Sequence, residues 1–486
     1  MRYFLFFVIL SFCSLSSFAQ VEQATLLGQW QGDNIFGSAL YDNSYNEIWG
    51  IAVNNREFAV IGSTEGTHFI DVTDPNNPEE VQFVEGAVTG PAIVHRDYHD
   101  NGCYLYVVAD EPDSNSATSK STLQIIDIRD LPNSLEVIYD SDELIFRAHN
   151  IFIDEANNQL YACIANGTAN PNPSFDAMRI FDISDPFNPE LIATHNSIDG
   201  LSIQQVHDGY FLDNVGYLNL GPGGFAIADF TNPANPVLLG TLDNYIDQGY
   251  NHSGWLDQSG KYYYMADENW GLRMKVVKVD DPTDIEVVGF LDAGSSATTS
   301  IPHNQVVACD YLYVSYYYDG LQVYDISDPV NPVRIIEFET SSEPDANNYK
   351  GAWGVYPFLP SGNILVSDMQ EGLFVFEAID QNACAQRRQI CEGNLSSTSN
   401  QANEAGLTIS PNPAEDFVTI SLNKSLGNEL LDIYLQDITG KQIINLAGQV
   451  LQNDYTLNLP NDLAEGMYIL TLQGENQRFS KKIILQ

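Results

Sequence analysis

GLQVYDISDPVNPVRIIEF, residues 320–338, reads as a β-strand, a proline-clamped turn and a second β-strand. Branched and aromatic side chains at Leu321, Val323, Tyr324 and Ile326 suit a strand buried against neighbours. Pro329 and Pro332 then fix φ and withhold backbone N–H donors, so the strand must end there. Asp325 and Asp328 carry side chains short enough to hydrogen-bond the turn backbone.

The unit recurs along the chain. It returns as HFIDVTDPNNPEEVQFV (68–84), LQIIDIRDLPNSLEVIY (123–139) and RIFDISDPFNPELIAT (179–194). Two more copies are FAIADFTNPANPVLLGTL (225–242) and VVKVDDPTDIEVVGFL (276–291), and a seventh, GLFVFEAID (372–380), stops before its turn. Two further strands precede each copy, as in WGIAVN (49–54) with EFAVIGS (57–63) and HNQVVAC (303–309) with YLYVSYY (311–317). Four short strands per repeat of about fifty residues indicate propeller blades. No sustained 3.6-residue apolar period supports a helical solenoid.

The expected fold is therefore all-β, a seven-bladed β-propeller over residues 21–380 followed by a small C-terminal β-sandwich. One misread copy would make the count six or eight. ATLLGQW (24–30) resembles PVLLGTL (236–242), and is expected to supply the outer strand that the seventh copy lacks. That pairing closes the ring and leaves only protected edges.

The charge balance narrows the partners. With 65 acidic against 20 basic residues, the formal net charge is −45. Such a surface repels nucleic acid and anionic lipid, so no nucleic-acid partner is expected. It attracts divalent cations, although solubility alone accounts for acidity. Residues 1–20, MRYFLFFVILSFCSLSSFAQ, read as a secretory signal peptide: one Arg, a short apolar run, then small residues. No later stretch approaches the roughly 18 apolar residues of a membrane helix, so no transmembrane segment is expected.

Cys384 and Cys391 flank a short polar stretch, and in an oxidising compartment they are expected to pair as a disulfide. Cys103, Cys163 and Cys309 lie in apolar strands and read as small buried hydrophobes. Residues 381–404, with the cysteine pair and NLSSTSNQANEAG starting at Asn394, form a polar linker. Beyond it, residues 405–486 hold short alternating strands such as FVTISL, LDIYLQD, YTLNLP and MYILTLQ, separated by turns at Thr439-Gly440 and Glu465-Gly466.

On the GLxVYDISDPxNP core, residues 24–380 resemble the LVIVD-repeat proteins of the choice-of-anchor B family. Leu321–Pro332, Arg179–Pro189 and Thr67–Pro78 fit well, whereas VVKVDDPTD in the fifth copy lacks the second proline. The resemblance implies an extracellular propeller fused to a variable surface-attachment module, and brings no settled catalytic residues. SPNPAEDFVTI (410–420), DITGKQI (437–443), EGMYILTL (465–472) and KKIILQ (481–486) resemble the type A C-terminal sorting domain of the type IX secretion system. That implies periplasmic transit, the secretion machinery as partner, a secreted or outer-membrane surface location and a Bacteroidetes-type host. It also implies removal of the tail on attachment or release. The other reading of the tail is an appended carbohydrate-binding sandwich.

Recognised catalytic signatures are absent: there is no HExxH, GxSxG, P-loop or EF-hand loop, and no catalytic residue is assigned. His95 and His99 have helical metal spacing, but in a strand they stand about 13 Å apart. GPGG (221–224) precedes a strand, so it is a loop and not a phosphate cradle. One constellation survives. Five copies begin their first strand with histidine (His95, His149, His207, His252 and His303), and two place Trp49 and Trp353 there. If first strands are innermost, these side chains ring one mouth of the channel. Second strands end nearby in Glu65, Asp110-Glu111, Asn166, Asp267-Glu268, Asp319 and Glu371, with long loops at 110–121 and 166–177.

The ring admits a structural reading, in which imidazoles satisfy the backbone of neighbouring blades. It also admits a ligand site of His95, His149, His207, His252, His303, Trp49 and Trp353. A metal version joins His149, His207 and His252 with Asp110 and Asp267 around a divalent cation, Ca²⁺ or Zn²⁺. Tyrosines 262–264 and 316–318 read as blade packing, with those near the mouth able to stack on a sugar. The leading function is a secreted or surface-displayed module binding a protein, glycan or small extracellular ligand. The alternatives are a metal-dependent hydrolase or lyase at the mouth, and a structural surface-layer protein.

Overall fold

The computed structural model describes residues 21–110, 121–168, 175–294, 299–379 and 391. In the C-terminal part it describes 407–411, 414, 416–422, 430–437, 442–450, 455–460, 463, 466–473 and 478–485. The signal peptide, Glu111, Cys384, the turns at Thr439-Gly440 and Glu465, and nearly all of the 381–404 linker lie outside the described residues. The chain divides into two compact units, Met1–Asn394 and Leu395–Gln486.

Among the described residues of the first unit, seven sheets of four antiparallel strands each run outward from a first strand, and Ser197–Ile198 with Leu201–Ser202 forms a small separate hairpin. Those first strands are Tyr45–Val53, His95–Asn101, Asn150–Asp154, Asp208–Leu212, Asn251–Leu256, Gln305–Ala308 and Ala352–Tyr356. Each touches the next, and the seventh meets the first, so the first strands form a closed inner ring. This is a propeller, and its sheets are numbered here as blades one to seven. Neighbouring blades share cores, which explains the near-continuous apolar runs. In blade three, Leu160 and Ala162 pack towards blade two, whereas Tyr161 and Cys163 pack towards blade four. With both faces covered, a strand needs no polar face.

The turn chemistry repeats as the sequence indicates. Asp71, Asp182, Asp229 and Asp325 each accept a bond at Oδ1 from the backbone N–H two residues on, at 2.7–2.9 Å. A bulge interrupts the outermost pairing of all seven blades. Leu26–Trp30 pairs antiparallel with Gly372–Phe376 as the outer strand of blade seven, and closes the ring from the other end of the chain. Just before it, Glu22–Gln23 adds a parallel fifth strand to blade six. Gly28 lies so close to Pro75 and Pro78 that a Cβ there would collide with the Pro75 carbonyl oxygen.

The disulfide expectation is corrected. Cys391 pairs with Cys103, 288 residues away, and not with Cys384. The physical reason is topological. Cys391 bridges to Val53 on the inner strand of blade one, beside the hairpin of blade two that carries Cys103. Spacing along the chain cannot reveal that proximity. Cys309 is likewise disulfide-bonded, so Cys103 and Cys309 are not simple buried hydrophobes. Cys163 is a buried free thiol, as expected.

The second unit contains a three-stranded and a four-stranded antiparallel sheet. Ile409, Val418 and Ile420 from one and Ile433, Leu435, Leu470 and Ile483 from the other share a single core. It is a small β-sandwich.

Candidate functional site: the imidazole mouth

The inner strands carry one long-range pattern. His95, His149, His207, His252, His303 and Trp353 form a closed circuit of six rings at one mouth of the channel. Successive centroids stand 5.0, 4.2, 4.2, 4.6 and 4.2 Å apart, and Trp353 returns to His95 at 5.4 Å. A cavity of ≈ 260 Å³ opens here, walled also by Asp110, Arg147, Tyr250, Glu268, Tyr317 and Tyr349.

The five histidines are not equivalent. His207 Nδ1 donates to the carbonyl of His252 at 3.1 Å, and His303 Nδ1 to that of Trp353 at 2.6 Å. Both are stitched to the next blade, as the structural reading requires. His149 Nδ1 bonds Asp110 Oδ2 at 2.8 Å, and Arg147 Nε donates to the other carboxylate oxygen at 2.9 Å. Burial alone would raise the Asp110 carboxyl, but the bonds and charges of His149 and Arg147 hold it well below the usual carboxylate range. His95, only 4% exposed, lies near the His149 backbone but makes no well-formed hydrogen bond at either nitrogen, and His252 makes none at Nδ1.

Burial also sets the charge states. It drives His303 down to about 3. His95, His207 and His252 are held well below their ordinary value by burial, then by the neighbouring histidines. The Glu268 carboxyl is pushed up to about 7 by burial, against the lowering bond from Tyr317. These four imidazoles are therefore neutral at pH 7, with acceptor nitrogens available to a ligand.

Two expected members lie elsewhere. Asp267 is fully buried, held by Lys275 Nζ at 2.7 Å, Tyr245 Oη at 2.9 Å and the Gly249 N–H at 2.9 Å, so it does not join the histidines. The next residue, Glu268, reaches the cavity instead. Strand alternation is the cause: adjacent residues at a strand end face opposite ways. Trp49 belongs to the opposite mouth, because it lies midway along the inner strand Tyr45–Val53, whereas Trp353 stands near the start of Ala352–Tyr356. There Trp49, His99, Phe152, Tyr210, Trp255, Phe358 and Tyr356 form a second circuit, with centroids 4.7 to 6.1 Å apart.

Between the two circuits the channel holds Glu47, Asp97 and Asp208. Burial pushes Glu47 up to about 8 and Asp208 to about 6, and places Asp97 well above its ordinary value. Single letters in unlike repeats gave no signal for this trio. Tyr317 was read as packing, but its hydroxyl donates to Glu268 Oε1 at 2.7 Å. Its φ of 39° is a left-handed conformation unusual for an aromatic residue.

Residues 305–340 match the LVIVD repeat, and residues 408–486 match the secretion system C-terminal sorting domain. The chain carries an LVIVD repeat within its propeller, and a type IX sorting tail. The tail implies export to a secreted or cell-surface location. Among the described residues no helix is long and apolar enough to cross a membrane. No curated protein sequence matches the chain.

Solved structures similar to this chain include PorZ, a bacterial surface component of the type IX secretion system of Porphyromonas gingivalis. The identity is 12% and the TM-score 0.43, over 94% of this chain and 61% of that one. The chain thus spans less than two thirds of PorZ. The WD40 β-propeller domain of Doa1 aligns at 9% identity and TM-score 0.48, over 74% of this chain and 97% of that one. A putative 6-phosphogluconolactonase from Bacteroides uniformis aligns at 12% and 0.45, over 67% and 89%.

Proposed function

We propose that this exported propeller is a binding module whose ligand, a small hydroxyl-rich molecule of monosaccharide size, enters the imidazole mouth. One observation carries the reading: His95 is buried in the cavity wall with neither nitrogen in a well-formed hydrogen bond. A buried polar group left unsatisfied costs about 1–3 kcal/mol, and a hydroxyl ligand would supply the missing bond. The cavity volume of ≈ 260 Å³ suits one sugar ring, and Tyr349, Tyr41 and Trp353 offer apolar faces beside the polar groups. Position supports the reading too, since the mouth is held by seven rigid inner strands.

The test is saturation-transfer NMR of the mature chain, stripped with chelator, against a panel of neutral and acidic monosaccharides. At least one sugar should show transfer that Tyr349→Ala weakens. Silence across the panel would overturn the sugar reading. A hydrolase reading draws on the Asp110–His149 pair, which has the geometry of an oriented general base. Turnover of a chromogenic glycoside or ester, lost in His149→Gln, would favour it.

A further inference from the structure

We propose that His252, Glu268 and His303 bind one divalent first-row transition ion, Zn²⁺ foremost, at the edge of the imidazole mouth. The proposal deepens the reading of that mouth as a binding site and rests on it. One ligand atom from each residue lies within 4.8 Å of the other two. The three are positioned by two rigid blades: His252 lies on the inner strand of blade five, Glu268 follows that blade's second strand, and His303 precedes the inner strand of blade six.

The surrounding bonds leave the ligand atoms free. The Trp353 carbonyl can only accept, so His303 Nδ1 carries the proton and the Nε2 lone pair remains open. That is the outer support a metal-ligating histidine commonly has. Tyr317 donates to Glu268 Oε1, which fixes the carboxylate and leaves Oε2. His252 Nε2 stands 3.8 Å from that Oε2, too far for a hydrogen bond. Ligands at about 2.0–2.2 Å in a tetrahedral site stand roughly 3.4 Å apart, so a small closure seats an ion.

His252 Nδ1 is the independent sign. It is buried without a hydrogen-bond partner, so no bond in the fold dictates which nitrogen of this ring carries the proton and which one an ion takes. Two imidazoles and one carboxylate select zinc-type ions over Ca²⁺, which takes six to eight oxygens. The fourth position faces the cavity and would accept a water or a ligand hydroxyl. Asp267 and Lys275 neutralise each other nearby and take no part.

The mature chain, freed of metal and kept in excess Mg²⁺ to occupy surface carboxylates, is titrated with ZnCl₂ by calorimetry. Co²⁺ is followed in parallel by its visible d–d bands. One equivalent should bind. Glu268→Gln and His252→Gln should each weaken Zn²⁺ at least about tenfold, with metal-free melting temperatures near the wild type. His68→Gln, on the third strand of blade one, should change nothing. Absence of saturable binding, or affinity unchanged in both mouth variants, overturns the site. If a monosaccharide still binds the chelated protein while Zn²⁺ does not, the metal is refuted and the mouth stands. If neither binds, both readings fall.

Discussion

His303 Nδ1 lies 2.6 Å from the carbonyl oxygen of Trp353, its counterpart on the next inner strand. The same bond links His207 to His252. These two histidines therefore do two jobs in one circuit: Nδ1 fastens adjacent blades, and Nε2 is left for the channel.

The buried charges give stability a pH signature. Burial raises Glu47 to about 8, so the folded chain keeps a proton that the unfolded chain releases near pH 4.3. Stability is then lost as pH rises towards 8. The buried histidines act oppositely, since they stay neutral in the fold but take protons near pH 6.5 when unfolded. Their contribution is lost as pH falls below about 6.5. Between about pH 6.5 and 8 the acids act unopposed. Calorimetric melts in chelator should show the wild type losing stability across that interval and Glu47→Gln losing less, the remainder coming from Asp97 and Glu268. Equal slopes would sink this assignment.

Ring closure rests on Leu26–Trp30. Deleting residues 21–31 exposes the outer edge of Gly372–Phe376 and removes the fifth strand of blade six. The truncated mature chain should melt well below the intact one. Gly28→Val is a gentler probe, because its side chain meets the Pro75 carbonyl, and it should cost about 1–3 kcal/mol. An unchanged melting temperature in both would refute the closure.

Cys103–Cys391 ties the segment after blade seven back to blade two. Cys391→Ser should lower stability by about 2–4 kcal/mol in denaturant melts. Its effect should nearly vanish when wild type and variant are compared in reductant. A difference that persists in reductant would point to packing and not to the cross-link.

Loss of the sorting tail should block export. A chain lacking residues 407–486 should fold and stay in the periplasm of a type IX-competent host, as cell fractionation with an antibody to the propeller would show. Its normal appearance outside the cell would refute the sorting role.

Much of the architecture was legible because it repeats. The Asp325-to-Pro332 turn, or a variant of it, announces six of the seven blades, and the likeness of residues 24–30 to 236–242 revealed the closing strand. The five histidines were legible for the same reason. What escaped notice depends on a single register or on contacts across the ring. Trp49 lies too far along its strand to reach the mouth that Trp353 lines, and one step of strand alternation exchanged Asp267 for Glu268. Cys391 found Cys103 only because the chain folds back over blade one.

Side-chain ¹⁵N NMR of the histidines in the mature chain tests the central claim most directly, before and after one equivalent of Zn²⁺. His207 and His303 should remain neutral Nδ1–H tautomers across about pH 5 to 8. The ion should shift the Nε2 resonances of His252 and His303 and leave His68 and His195 unmoved. Titration of His303 near pH 6.5, or a response confined to His68 and His195, would contradict the account.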